Sequence, residues 1–152
     1  MTLKHTQFMR LIAQQVGVYL PPEYKHYRKG HTDWYSQIYL GSDKNIHYEV
    51  SRPWNKAGRQ VEIGLHLETR DRDYNLRLLA QLDHYLMQIR DELQADVLAD
   101  VWDRGWTKIY ELHSDQELND DWLQYVAERL AKFVVVVQPI FERARLENDT
   151  KT

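Results

Sequence analysis

Gln60-Val61-Glu62-Ile63-Gly64-Leu65-His66-Leu67 alternates polar or small residues with apolar ones. Successive side chains leave opposite faces of a pleated strand, so Val61, Ile63, Leu65 and Leu67 point to a core. Gln60, Glu62, Gly64, His66 and the following Glu68 point the other way. That is the period of a half-buried antiparallel strand. Working back along the chain, Ile46 to Ser51 and Trp34 to Leu40 carry the same alternation at close spacing. Three such segments predict a meander with one core face and one chemically mixed face.

Outside the meander the period changes to that of helices. Phe8, Leu11, Ile12, Val16 and Leu20 form one stripe, which predicts a helix from about Leu3 to Tyr19 ended by Pro21 and Pro22. Glu23 to Thr32 has neither period and reads as a basic, tyrosine-bearing connection. Beyond the meander, Asp71 or Asp73 can cap a helix from Tyr74 to Leu93, with Leu79, Leu82, Leu86, Ile89 and Leu93 stepping by three and four. Two shorter strands are expected at Val97 to Trp102 and Lys108 to Leu112, with a turn at Asp103-Arg104-Gly105. Ser114 and Glu117 have capping-box spacing, and Asn119 to Asp121 offer a second start for a last helix through Phe141. Pro139 is expected to kink or end it. The fold expected is one α+β domain over residues 1–152. It has a three-stranded meander plus two strands in an antiparallel sheet, three packed helices, the order α-β-β-β-α-β-β-α, and a disordered tail at residues 147–152.

The 152 residues suit one domain and contain no cysteine, which excludes disulfides and thiolate metal sites. The sequence shows no apolar run of membrane-spanning length and no signal-peptide core, so a cytoplasmic location is expected. The net charge of −3 hides an asymmetry: residues 1–60 carry nine Lys/Arg against four Asp/Glu, and the rest eleven against nineteen. The basic half is the side expected to meet an anion. Catalytic words are missing. There is no Lys two residues beyond Glu62, no Gly-x-Ser-x-Gly elbow, no phosphate-binding Gly-Lys-Ser/Thr loop, and no helical His pair at i and i+4. No cofactor is expected.

Several local words carry a resemblance. They are Trp34-Tyr35-Ser36, Val61-Glu62-Ile63, Trp102-Asp103-Arg104 before Lys108-Ile109-Tyr110, and Trp122-Leu123 leading to Gln138-Pro139-Ile140. In these and in element order, the chain from Phe8 to Arg143 resembles an uncharacterised bacterial and archaeal domain-of-unknown-function family often found carboxy-terminal to restriction-type nuclease domains. The resemblance implies a prokaryotic accessory role near DNA processing or defence, and it transfers no catalytic residues. The element order is also similar to that of small dimeric secretion chaperones.

Two constellations could carry function. Tyr24, Lys25, Tyr27, Arg28 and Lys29 combine cations that neutralise phosphates with rings that stack on unpaired bases, the chemistry of single-stranded nucleic-acid binding. Arg52, Lys56 and Arg59 extend that patch if the connection entering the first strand lies at the same sheet end as the turn between the second and third. The second constellation is His47, Glu49, Glu62 and His66 on the polar face. With Ser51 opposite Gln60, Glu49 would sit opposite Glu62, and the imidazoles could complete an oxygen and nitrogen metal site. A register shifted by two residues dissolves that pair. The function expected is a non-catalytic interaction module with a nucleic-acid-binding patch. The alternatives are a homodimeric protein-binding adaptor or chaperone and, behind it, a metal-dependent hydrolase.

Overall fold

The structure is a computed structural model and describes residues 2–52 and 60–150. Its elements are α1 (His5–Tyr19), β1 (Arg28–His31), β2 (Tyr35–Tyr39), β3 (Ile46–Ser51), β4 (Gln60–Leu67), α2 (Arg72–Asp83), α3 (Leu86–Leu93), β5 (Leu98–Trp102), β6 (Trp106–Ser114) and α4 (Asp120–Thr150). The six strands form one antiparallel sheet in the order β1-β2-β3-β4-β6-β5. The α+β class is the expected one. Among the described residues it contains one strand and one helix more than the sequence reading.

The apolar side of the alternation makes the core. Ile38, Tyr48, Val50, Val61, Ile63, Leu65, Leu67 and Ile109 join Phe8, Ile12 and Val16 of α1, Leu78 and Leu82 of α2, and Phe133, Val134 and Val137 of α4 in one buried cluster. The sheet residues in this cluster all come from one face, against which the helices pack. The Tyr48 hydroxyl donates to Gln138 Oε1 at 2.8 Å, tying β3 to α4.

Three local expectations are corrected. Arg28–His31, read as connection, is an edge strand paired with β2 from Arg28 opposite Tyr39 to His31 opposite Ser36. It is mostly exposed, so nothing selects an apolar period there, and backbone pairing alone defines it. The helix expected from Tyr74 to Leu93 is broken at His84 and Tyr85. Their N–H groups bond three residues back, to Gln81 and Leu82 at 3.2 and 2.9 Å, tightening the turn before α3 starts anew. Of the two caps expected, Asp71 is the one α2 uses, its Oδ1 accepting from Tyr74 N–H at 3.0 Å. The last helix uses the second of the two starts, with Asn119 Oδ1 accepting from Trp122 N–H at 2.9 Å. It runs through Pro139 without ending. The carbonyl that a residue-139 N–H would have used belongs to exposed Val135, where water can take the bond, and buried Ile140, Phe141 and Ala144 hold the next turns. Residues 147–150, expected as disordered tail, are therefore helical, with Asn148 buried.

Among the described residues, no helix is long and apolar enough to cross a membrane.

Candidate functional site

Strand register decides what the polar face brings together. β3 pairs with β4 so that Ser51 lies opposite Glu62, Glu49 opposite Gly64, and His47 opposite His66. Of the two registers the alternation allows, the structure has the one shifted by two residues from Ser51 opposite Gln60, and Glu49 does not face Glu62 directly. The two carboxylates still converge, because Gly64 stands between Glu62 and His66 on the same face without filling the space opposite Glu49. His66 occupies the gap between them. Its Nε2 is 3.7 Å from Glu49 Oε2 and 3.6 Å from Glu62 Oε1.

This face differs from the solvated surface that alternation suggests. His47, Glu49, Glu62 and His66 are each buried, at 3, 8, 4 and 2 % exposure. Side chains of neighbouring strands cover them. Gln37 of β2 donates through Nε2 to Glu49 Oε1 at 2.8 Å, and the Tyr39 hydroxyl donates to Gln37 Oε1 at 2.5 Å. From the other side, β6 pairs with β4 so that Lys108 lies opposite His66. The Lys108 Nζ is 2.8 Å from Glu62 Oε1 and stands over the rings of Tyr110 and Trp102, 4.6 and 5.2 Å from their centres. Trp102 also meets His66 edge to face at 5.9 Å.

Burial and charge act against each other here. Burial by itself would discharge His66. The nearby carboxylates of Glu62, Glu68 and Glu49 outweigh it and raise the imidazole to about 9. Burial would raise both glutamates as well. Glu49 is nonetheless held below the usual carboxylate range by His47, His66 and Gln37, and Glu62 by His66 and Lys108. The face is a network of charged partners at neutral pH. Above it opens a cleft of about 430 Å³, lined by Trp34, Tyr35, Glu49, Glu62, Trp102 and Lys108, with Ser51, Arg52 and His66 completing it.

The basic constellation does not assemble as expected. Because β1 runs antiparallel to β2, Arg28 lies opposite Tyr39, whereas Ser51, the residue before Arg52, lies opposite Tyr35 at the other end. Arg28 and Arg52 are thus separated by the length of β2, and the continuous patch is broken in two. Arg52 is committed to Asp115, with its Nε at 3.0 Å from Oδ2. Arg28 donates through Nη2 to the Gly41 carbonyl at 2.9 Å. The Tyr27 hydroxyl donates to the Ala13 carbonyl at 2.8 Å, packing the ring onto α1, and Tyr24 also packs against the core. Lys25 and Lys29 are exposed. Lys56 and Arg59 lie outside the described residues.

Sequence reasoning placed Glu68 on the polar face but left it out of the candidate set, and it missed Lys108 as a partner of Glu62. Glu68 stands one residue past the end of β4 yet reaches back, its Oε2 lying 2.9 Å from His66 Nδ1. Lys108 enters only through the pairing of β4 with β6, two strands separated in the chain by α2, α3 and β5. Nothing local marks that pairing. Comparison with protein-family models, with curated proteins and with solved structures finds no match to this chain.

Proposed function

We propose that this chain is a non-catalytic interaction module that receives a cationic side chain of a protein partner in the cleft on the helix-free face of its sheet. The observation that carries this reading is the seat of Lys108, an ammonium held between a carboxylate and two aromatic rings. Around it, the carboxylates of Glu49, Glu62 and Glu68 outnumber the two cations, His66 and Lys108, by one, while Arg52 is answered by Asp115. A lysine or arginine entering between Trp34 and Trp102 meets aromatic walls and an acidic floor. Acid–base catalysis is less well supported, since Glu49, Glu62 and His66 are all pushed away from neutrality rather than toward it. An accessory place beside DNA processing or defence, implied by the family resemblance, is compatible with this reading.

Tryptophan fluorescence titrated with short arginine- or lysine-bearing peptides tests it. Saturable binding is expected, weakened about tenfold or more by Trp102→Ala and by Glu49→Gln. Equal response to neutral peptides, or none to cationic ones, sinks the proposal. A salt-insensitive dimer in sedimentation would instead favour the homodimeric adaptor.

A second reading keeps nucleic acid in view, because Arg28 and Lys29 are exposed on the edge strand β1 and Lys25 is exposed just before it. If they contact phosphates, single-stranded DNA affinity should fall on a log–log salt plot with a slope of about −0.7 per contact. Lys25→Ala or Lys29→Ala should flatten it by about that amount. Binding undetectable at low salt removes this reading. Tyr27→Ala is now expected to lower stability, by about 1 kcal/mol for the lost hydroxyl bond plus lost ring packing, rather than to remove a stacking platform.

A further inference from the structure

We infer that His47, His66 and Glu68 form a binding site for one divalent transition-metal ion of the zinc, cobalt or nickel class. The inference goes beyond the partner-binding reading, since the ligand is an ion held by the chain's own donors and no partner is needed to observe it.

The two imidazoles meet because His47 of β3 and His66 of β4 are direct cross-strand partners on one face, their rings stacked at 5.4 Å with an interplanar angle of 24°. Glu68 follows His66 by two positions and reaches both. Its Oε1 is 3.9 Å from His47 Nε2, and its Oε2 is 2.9 Å from His66 Nδ1. One donor atom from each of the three residues lies within 4.8 Å of the other two. Ligands spaced at this range can close on one ion at the roughly 2.0–2.2 Å bond lengths of imidazole and carboxylate with small rotations.

Orientation of the rings is an independent observation. His47 Nδ1 lies 2.9 Å from the Lys44 carbonyl. A carbonyl oxygen only accepts, so Nδ1 carries the hydrogen, and Nε2 is the nitrogen aimed inward, donating to Glu49 Oε1 at 3.2 Å and facing Glu68, where an ion would take the place of its proton. His66 has the complementary arrangement. Its Nδ1 faces Glu68, and its Nε2, on a side chain 97 % buried, has no hydrogen-bond partner and points into the gap between Glu49 and Glu62. An ion on Nδ1 leaves the Nε2–H directed at Glu62, itself held by Lys108. Metal-binding histidines commonly have this outer arrangement, one ring nitrogen on the ion and the other donating to a carbonyl or a carboxylate. Both histidines offer it here, by different partners.

The donor set selects the ion class. Two imidazoles and one carboxylate suit borderline ions, whereas magnesium and calcium prefer all-oxygen shells. Glu68, with its side chain 16 % exposed, is the open side of the site, while Tyr39 stands edge-on to His47 and Trp102 edge-on to His66.

The test uses the full chain, stripped with a chelator and titrated with cobalt(II) under visible absorption, with zinc uptake measured by elemental analysis after dialysis. About one equivalent of each is expected, with ligand-field bands of nitrogen and oxygen coordination. His47→Gln, His66→Gln and Glu68→Gln should each weaken uptake by about tenfold or more, and exposed His26→Gln and His31→Gln should leave it unchanged. Circular dichroism checks that each variant folds. If the two buried histidine variants do not fold, Glu68→Gln at the open side decides. No uptake by the wild type overturns the inference, as does uptake insensitive to Glu68→Gln or lost on replacing an exposed histidine. Because the probe is the metal alone, failure of cationic peptides to bind leaves this result standing, and the reverse also holds.

Discussion

Glu111→Ala is expected to lower the unfolding free energy by about 3–5 kcal/mol, because it strands the charge of Arg129. Glu111 is on β6 but on the core side of the sheet, 1 % exposed, and its two oxygens accept from Arg129 Nε and Nη2 at 2.7 Å each. Arg129 Nη2 also donates to the Leu93 carbonyl at 2.7 Å, so one guanidinium joins β6, α3 and α4. Removing the carboxylate leaves the guanidinium, with its side chain only 15 % exposed, without its counter-charge. Glu111→Gln, which keeps an acceptor and the shape, should cost clearly less. The difference should also depend on pH. Burial would raise the Glu111 carboxyl, but His113 and Arg129 outweigh it and hold it below the ordinary value of 4.5. A group whose folded pKa is depressed contributes fully above its unfolded pKa and loses that contribution as pH falls through the folded value. The gap between wild type and Glu111→Ala in urea unfolding should therefore be widest at neutral pH and narrow in acid. A gap that is small at neutral pH, or that grows on acidification, would show that the pair does not stabilise the fold.

Gly64→Ala is the second large effect, expected at about 1–3 kcal/mol, with Gly64→Val at or above the upper end. Gly64 lies in the middle of β4 opposite Tyr110. A Cβ there would come within 2.5 Å of the Ile109 carbonyl oxygen and 2.7 Å of Tyr110 Cβ. Backbone cannot yield as a flexible side-chain end would, so β4 and β6 must move apart locally. The same displacement should disturb Tyr110, which stands beneath the Lys108 ammonium, and so weaken cationic-peptide binding as well as stability. Calorimetric unfolding of the alanine variant at the wild-type temperature would refute the steric argument.

The polar face explains why the fold was more legible than the site. Alternation in β2, β3 and β4 is a local property, enforced because a one-residue slip would send every apolar side chain to the wrong face. The three strands were therefore readable to within a residue or two. A two-residue slip keeps all faces correct, so the same alternation could not separate Ser51 opposite Gln60 from Ser51 opposite Glu62. His47, Glu49, Glu62 and His66 were named as a group because they share a face. Whether Glu49 met Glu62 or His66 was beyond periodicity. Continuity of the basic segment with Arg52 was illegible for a related reason: β1 has no alternation to read, and inserting one strand reversed the end of the sheet at which Lys25 and Lys29 sit.

From the sequence alone came the α+β class, the core residues of α1 and the meander, a helix cap at Asp71 or Asp73, and the absence of thiolate chemistry. Each follows from side-chain period, from capping chemistry within four residues, or from composition. Only the tertiary structure decided that β4 lies between β3 and β6. That placement puts Lys108 and Trp102 beside the glutamates, brings Glu68 back onto two stacked imidazoles, and turns Glu111 inward to Arg129. Those contacts join residues up to 46 positions apart, from Glu62 to Lys108, and are made because the backbone groups of a buried central strand such as β4 need hydrogen-bonded neighbours on both sides. Backbone pairing between distant segments, invisible to any local window, is what converts a strand with glutamate and histidine on one face into a candidate binding site.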